Sequence, residues 1–137
     1  MDCFRRIGTA FLLSLLTAAG ACDETPPEAD GFSVPSGRAL RFVDVITNAP
    51  GAEGATARFR FVAPDLVPDD SEAAGGDMQV LCDTYALPRT DAMVPAPQQI
   101  IISLSAAEVP FGEAAPEVTQ FFEAYAIRDG QCVREVF

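Results

Sequence analysis

Val118 to Phe137 reads VTQFFEAYAIRDGQCVREVF, and the fold depends on how this stretch is paired. Phe121, Phe122, Tyr125 and Ile127 are residue types that suit a pleated, half-buried surface. Asp129-Gly130 is a hairpin signal, because a two-residue type I′ turn needs positive φ at both positions. Two antiparallel strands joined at Asp129-Gly130 are therefore the favoured reading. A helix over 117–127 is the alternative. Val118, Phe121, Phe122, Tyr125 and Ala126 also recur at helical spacing, and Pro116 would open such a helix.

Working upstream, Gln98 to Ser105, QQIIISLS, is a short β-branched run and the natural buried central strand. Asp77 to Leu87, DMQVLCDTYAL, has Met78, Leu81, Cys82, Tyr85 and Ala86 at the spacing of one helix face. Asp77 is placed to cap that helix, Pro88 to stop it, and Cys82 points inward from it. Thr56 to Ala63, TARFRFVA, alternates with period two. Phe59, Phe61 and Ala63 share one face, and Arg58 and Arg60 the other. Ala39 to Thr47 reads as its hairpin partner across the loop 48–55. The outer face would gather Arg41, Arg58 and Arg60, a candidate anion-binding patch set against ordinary pairing with surrounding acids. Pro64 to Asp77 reads as a polar loop. Its Asp65, Asp69, Asp70, Glu72 and Asp77 lack the EF-hand spacing, so no metal is expected there.

The other end of the chain reads as an export signal. Arg5 and Arg6 precede a short apolar run from Ile7 to Leu16, and Ala19-Gly20-Ala21 offers a small-residue exit. The run is too short to span a bilayer as a stable helix. Ala19-Gly20-Ala21-Cys22 resembles a bacterial lipobox, with Ala19 where that pattern usually has Leu. The same spacing suits ordinary signal peptidase, so lipidation of Cys22, plain secretion and an uncleaved anchor all stay open. Residues 1–21 are thus a signal peptide, and 22–36 an acidic, Pro-rich tether whose Phe32 and Val34 can already touch the body. Residues 37–137 form a single domain.

Cysteine arithmetic links the two ends. Without the leader, Cys22, Cys82 and Cys132 remain, an awkward odd number for an exported protein. A thioether lipid on Cys22 leaves one possible pair, Cys82 with Cys132. No CxxC motif is present, so a structural disulfide fastening helix to last strand is expected rather than a redox centre.

Composition narrows the chemistry. The net charge is −11 over 137 residues, which argues against nucleic acid as a partner. There is no His, Lys or Trp. Histidine-based nucleophile systems, P-loops and pyridoxal Schiff bases are excluded. No cofactor is expected. An enzyme would have to work with carboxylates, Tyr, Ser, Cys or Arg. Glu113, Glu117, Glu123, Tyr125 and Arg134 are the candidates, lying near the aromatic C-terminal stretch, and they need a cleft holding at least two of them.

Several short strings carry a resemblance. They are Val34-Pro35-Ser36-Gly37, Arg58 to Pro64 (RFRFVAP), Leu81-Cys82, Phe111-Gly112-Glu113, Gln120 to Tyr125 (QFFEAY) and Asp129 to Phe137 (DGQCVREVF). Together they resemble a family of small exported bacterial proteins defined only as a domain of unknown function. In similar proteins a Trp stands where this chain has Arg134. Such proteins sometimes carry an acetolactate-synthase label. That enzyme needs several large domains and a thiamine-diphosphate motif beginning Gly-Asp-Gly, which this chain lacks, and the resemblance supplies no function.

The expectation is an α+β domain, with an antiparallel sheet of about five strands, one packed helix and one disulfide. It would act as a non-enzymatic interaction module with an envelope partner at the periplasmic face, tethered to the membrane through lipid on Cys22 or soluble there. The alternatives are a small periplasmic ligand-binding protein or a carboxylate-dependent enzyme.

Overall fold

Residues 31–47, 50–51 and 54–136 are described by a computed structural model. The leader, Cys22 and most of the tether fall outside these residues. The first strand pair follows from the alternation around Phe59 and Phe61. Strand β1 (Arg41–Ile46) runs antiparallel to β3 (Gly54–Val62), and the short β2 (Pro50–Gly51) pairs back on the start of β3. An extra residue, Val43, bulges β1, so that Phe42 faces Phe61 while Asp44 faces Arg60.

After β3 the chain enters one continuous helical run. A 3₁₀ turn at Pro68–Asp70 leads into α1 (Ser71–Leu81), then a π turn at Cys82–Ala86, then α2 (Leu87–Thr90). The helix therefore starts about two turns before Asp77 and passes through Pro88, against the sequence expectation at both ends. Three features explain the early start. Pro68 sits at the first position, where its missing N–H costs nothing. Asp69, Asp70 and Glu72 lie in the first turns, where negative charge is favoured by the helix dipole. Ala74 extends the buried stripe one turn back from Met78. The late stop is explained by the wide turn. Leu87 N–H reaches back to Cys82 O, which gives the ring of Pro88 room that an α turn would deny. Arg89 Nη1 donates to the Tyr85 carbonyl at 2.8 Å.

Asp77 is not a cap. It is fully buried in the middle of α1. Ser36 N–H and Oγ donate to its two carboxylate oxygens at 2.9 and 2.5 Å, and Arg38 Nε donates at 2.9 Å. Arg38 also reaches Asp70 Oδ2 at 3.3 Å. The Val67 N–H, first, and Arg38 hold the Asp70 carboxyl below its usual range, against the opposing effect of partial desolvation. A buried carboxylate without partners would cost several kcal/mol, roughly; here three donors, one of them a guanidinium, offset that cost. Ser36 lies in the turn Val34–Gly37, closed by Gly37 N–H on Val34 O at 2.9 Å with Gly37 at φ 74°, and Arg38 directly follows it. Phe32, just before that turn, packs edge-on against Tyr85 and Phe61 at 4.9 and 5.3 Å. The last residues of the expected tether are thus packed on the body.

Strand β4 (Gln99–Ser105) lies beside β3 and parallel to it, the one departure from an antiparallel ladder. The helix carries the chain back along the sheet before β4 begins, so β4 must run in the same direction as β3. Its Ile100, Ile102 and Leu104 are fully buried beneath the helix. Strands β5 (Gln120–Arg128) and β6 (Gln131–Arg134) complete the order β1-β3-β4-β5-β6. The strand reading of 117–127 holds from Gln120 onward. Asp129 and Gly130 take φ of 52° and 70° between Arg128 and Gln131, as the hairpin requires.

Helix and sheet enclose a core of Phe59, Phe61, Met78, Leu81, Ile100, Ile102, Leu104 and Tyr125. Cys82 and Cys132 are bonded, with their Cα atoms 6.2 Å apart. Gln79 Nε2 adds a bond to Cys132 O at 3.1 Å. Among the described residues no helix is long and apolar enough to cross a membrane.

The pair Gly75-Gly76, a loop signal in sequence, lies inside α1, where nothing sits within 4 Å of an added Cβ at either position. Gly76→Ala is therefore expected to raise stability by about 1 kcal/mol, seen as a higher denaturant midpoint at unchanged slope. A loss of stability would contradict the helical backbone there.

Candidate functional site

The helix covers one face of the sheet; the site lies on the other. Strand pleating decides which residues reach it. On β3, Arg58 and Arg60 point away from the helix because Phe59 and Phe61 point toward it. The register sets Arg60 beside Ser103 of β4, and Ser103 beside Phe122 of β5. The loop joining β4 to β5 then folds over this surface. Arg60 Nη2 donates to Val109 O at 2.9 Å, and Ala106 N–H closes the loop base on Thr119 O at 2.9 Å. A turn at Pro110–Glu113, with Glu113 N–H on Pro110 O at 3.1 Å and Gly112 at φ 84°, brings Phe111 over the sheet.

The result is a cleft of about 230 Å³ lined by Arg58, Arg60, Ser103, Phe111, Glu113 and Phe122, among others. The Arg58 guanidinium lies 5.5 Å from the Phe111 ring centre and 5.6 Å from that of Phe122. This is a cation in contact with two aromatic rings. Its Nε is enclosed and has no hydrogen-bond partner. Burial, and after it the charge of Arg60, lower the Arg58 pKa from the ordinary arginine value.

Neighbouring charges are already committed. Arg60 Nε stands 3.1 Å from Asp44 Oδ1, an ion pair too poorly aligned to count as a hydrogen bond. Arg41 pairs with Glu108 at 3.2 Å on the exposed rim and does not line the cleft. Arg38 and Arg134 are also paired with carboxylates, while Arg89 and Arg128 are exposed. Among the described arginines, Arg58 alone is partly buried and lacks an acidic partner.

Of the five groups considered for catalysis, only Glu113 lines this cleft. Glu123 and Arg134 bind each other through two contacts of 2.6 and 2.9 Å. Tyr125 is buried in the core with its hydroxyl unpartnered, and burial pushes its pKa well above the ordinary phenol value. Glu117 lies exposed in the loop before β5. Among the described residues, this cleft holds one of the five groups and not the two that a carboxylate enzyme of this kind needs. Asp65, Asp69, Asp70, Glu72 and Asp77 are divided between a turn, the helix start and the buried pair with Arg38. Among the described residues no group of three or more metal-ligating side chains forms.

Arg58 and Arg60 were visible as a pair in the alternation of TARFRFVA. Phe122 could have been added from strand alternation alone, since it must oppose Phe121 and Tyr125. Phe111 could not, because it arrives from a loop whose path depends on the Arg60–Val109 bond. That bond has a measurable role. Arg60→Met removes it together with the Asp44 pair, and a charge-assisted hydrogen bond contributes about 1.5 kcal/mol. Amide exchange at Ala106 and Glu113 should rise roughly tenfold, with helix amides unchanged; an unaltered loop would show that Arg60 does not hold it.

Comparison with known proteins finds no curated protein and no solved structure that matches. A family model does match, over residues 14–137, and the chain accordingly belongs to the family of unknown function DUF6497.

Proposed function

We propose that this chain is an exported, non-enzymatic binding module of the bacterial envelope, tethered through lipid on Cys22, with the Arg58 cleft as its recognition surface. The observation that carries the reading is the uncompensated Arg58 cation in a chain of net charge −11. In a protein so rich in carboxylates, a partly buried guanidinium left without one is a recognition group awaiting a partner from outside. The titratable groups around it are Arg60 and Glu108, both in ion pairs, and Glu113. That set supports binding and supplies no nucleophile activated by a base.

Export is supported by two independent features. The leader has a basic start, a short apolar run and a small-residue exit directly before Cys22. The Cys82–Cys132 bond is of the kind that persists in an oxidising compartment and is rare in the cytosol. Lipid on Cys22 accounts for the third thiol. The acidic, Pro-rich sequence between Cys22 and Phe32 has the composition of a tether.

Fractionation of cells expressing the full chain tests this reading. The wild-type protein should sediment with membranes and dissolve only in detergent, with an intact mass showing cleavage before Cys22 and added acyl chains. Cys22→Ala should be soluble. A soluble, unlipidated wild-type protein would remove the tether, and a cytosolic chain with residues 1–21 intact would remove export.

A further inference from the structure

The cleft carries enough geometry to name a class of ligand. Three constraints act together. The first is charge. Arg60 is offset by Asp44 and Arg41 by Glu108, which leaves two unpaired charges of opposite sign in the lining, Arg58 and Glu113. With Glu113 counted these groups carry no net charge, so in a chain of net −11 the Arg58 guanidinium suits an anion of a single charge, and a dianion would meet net repulsion. The second is shape. The Phe111 and Phe122 rings both stand against the Arg58 guanidinium, and its edge is the part that offers hydrogen bonds to a ligand. Only Nε of that group is fully enclosed, and none of its nitrogens makes a hydrogen bond. The two Nη groups are the open end of a planar fork, which matches the two oxygens of a carboxylate. The Ser103 hydroxyl, also lining the cleft and also without a hydrogen bond, is a further donor. The third is size and polarity. About 230 Å³ falls below the roughly 300–1,000 Å³ of pockets for drug-sized ligands, and the walls include Val109, Phe111 and Phe122.

We infer that this cleft binds a small organic monocarboxylate, its carboxylate on the Nη groups of Arg58 and its apolar body against Phe111 and Phe122. The inference rests on reading the cleft as a recognition surface, and it does not depend on the lipid tether. Fractionation decides the tether, and ligand titration decides the cleft.

The test is a nuclear magnetic resonance titration of the protein purified after expression of the full chain. The probes are benzoate, its neutral isostere benzamide, and inorganic phosphate. Benzoate should give saturable shifts at the Arg58 Nε–H and at the Phe111 and Phe122 amides, with α1 amides unmoved. Benzamide and phosphate should bind at least tenfold more weakly. Arg58→Gln should weaken benzoate at least tenfold. Phe111 is an exposed loop side chain, so Phe111→Ala should preserve the fold and still weaken benzoate severalfold. Equal binding of benzamide would reduce the cleft to an apolar pocket and overturn the inference. Tighter binding of phosphate would make it a general anion site and overturn the carboxylate claim. Absence of any saturable shift, or benzoate binding that survives both substitutions, would overturn it as well.

Discussion

The bond between Cys82 and Cys132 is the constraint on which the other features lean. It joins the widened turn of the helix to the edge strand of the sheet, across 50 residues of chain. Closing a loop of that length contributes about 4 kcal/mol on the chain-entropy account, against a net stability of roughly 5–15 kcal/mol for a domain. Everything between the two sulfurs is included in that loop: the end of the helix, the central strand, the covering loop with Phe111, and most of the last hairpin. The hairpin is short, with four residues in β6, and an isolated ribbon of that length is marginal in water. Holding it to the helix keeps β5 against β4, and so keeps Phe122 in register with Ser103 and Arg60.

The two faces of the sheet are divided by how each handles charge. Beneath the helix, Asp77 is buried but satisfied, with Ser36 and Arg38 drawn down from the segment before β1. A buried pair of this kind contributes little net stability, but breaking it is costly, and it specifies how the early segment docks. On the far side, Arg58 is partly buried and left without a carboxylate, while every nearby charge except Glu113 is paired. The same acidic chain therefore compensates one arginine fully and another not at all. That contrast sets the cleft apart from the structural ion pairs.

Much of this was legible in the residues. Asp129-Gly130 demanded positive φ twice and obtained it. The period-two pattern around Phe59 and Phe61 placed Arg58 and Arg60 on the outer face, and the odd cysteine left one pairing to consider. Other features were hidden by physical causes. The acids and glycines of 64–77 have loop composition, yet burial of Ala74 and the Asp77–Arg38 pair hold Ser71 to Asp77 in the helix. Pro88 signals a helix end, but a π turn makes room for its ring. Periodicity carries no strand direction, so the parallel β3–β4 pairing waited on knowing that the helix crosses between them. Phe111 is placed by contacts between its loop and the sheet, among them the Arg60–Val109 hydrogen bond and the Arg41–Glu108 pair, which no local pattern announces.

The most direct measurement of this account is the thiol state of native protein. Protein isolated without reductant is unfolded in the presence of an alkylating agent, digested and mapped by mass. The account predicts one cross-linked peptide joining Cys82 to Cys132, with neither position alkylated. Full alkylation at both would contradict it, since the helix would then have no covalent hold on the closing strand.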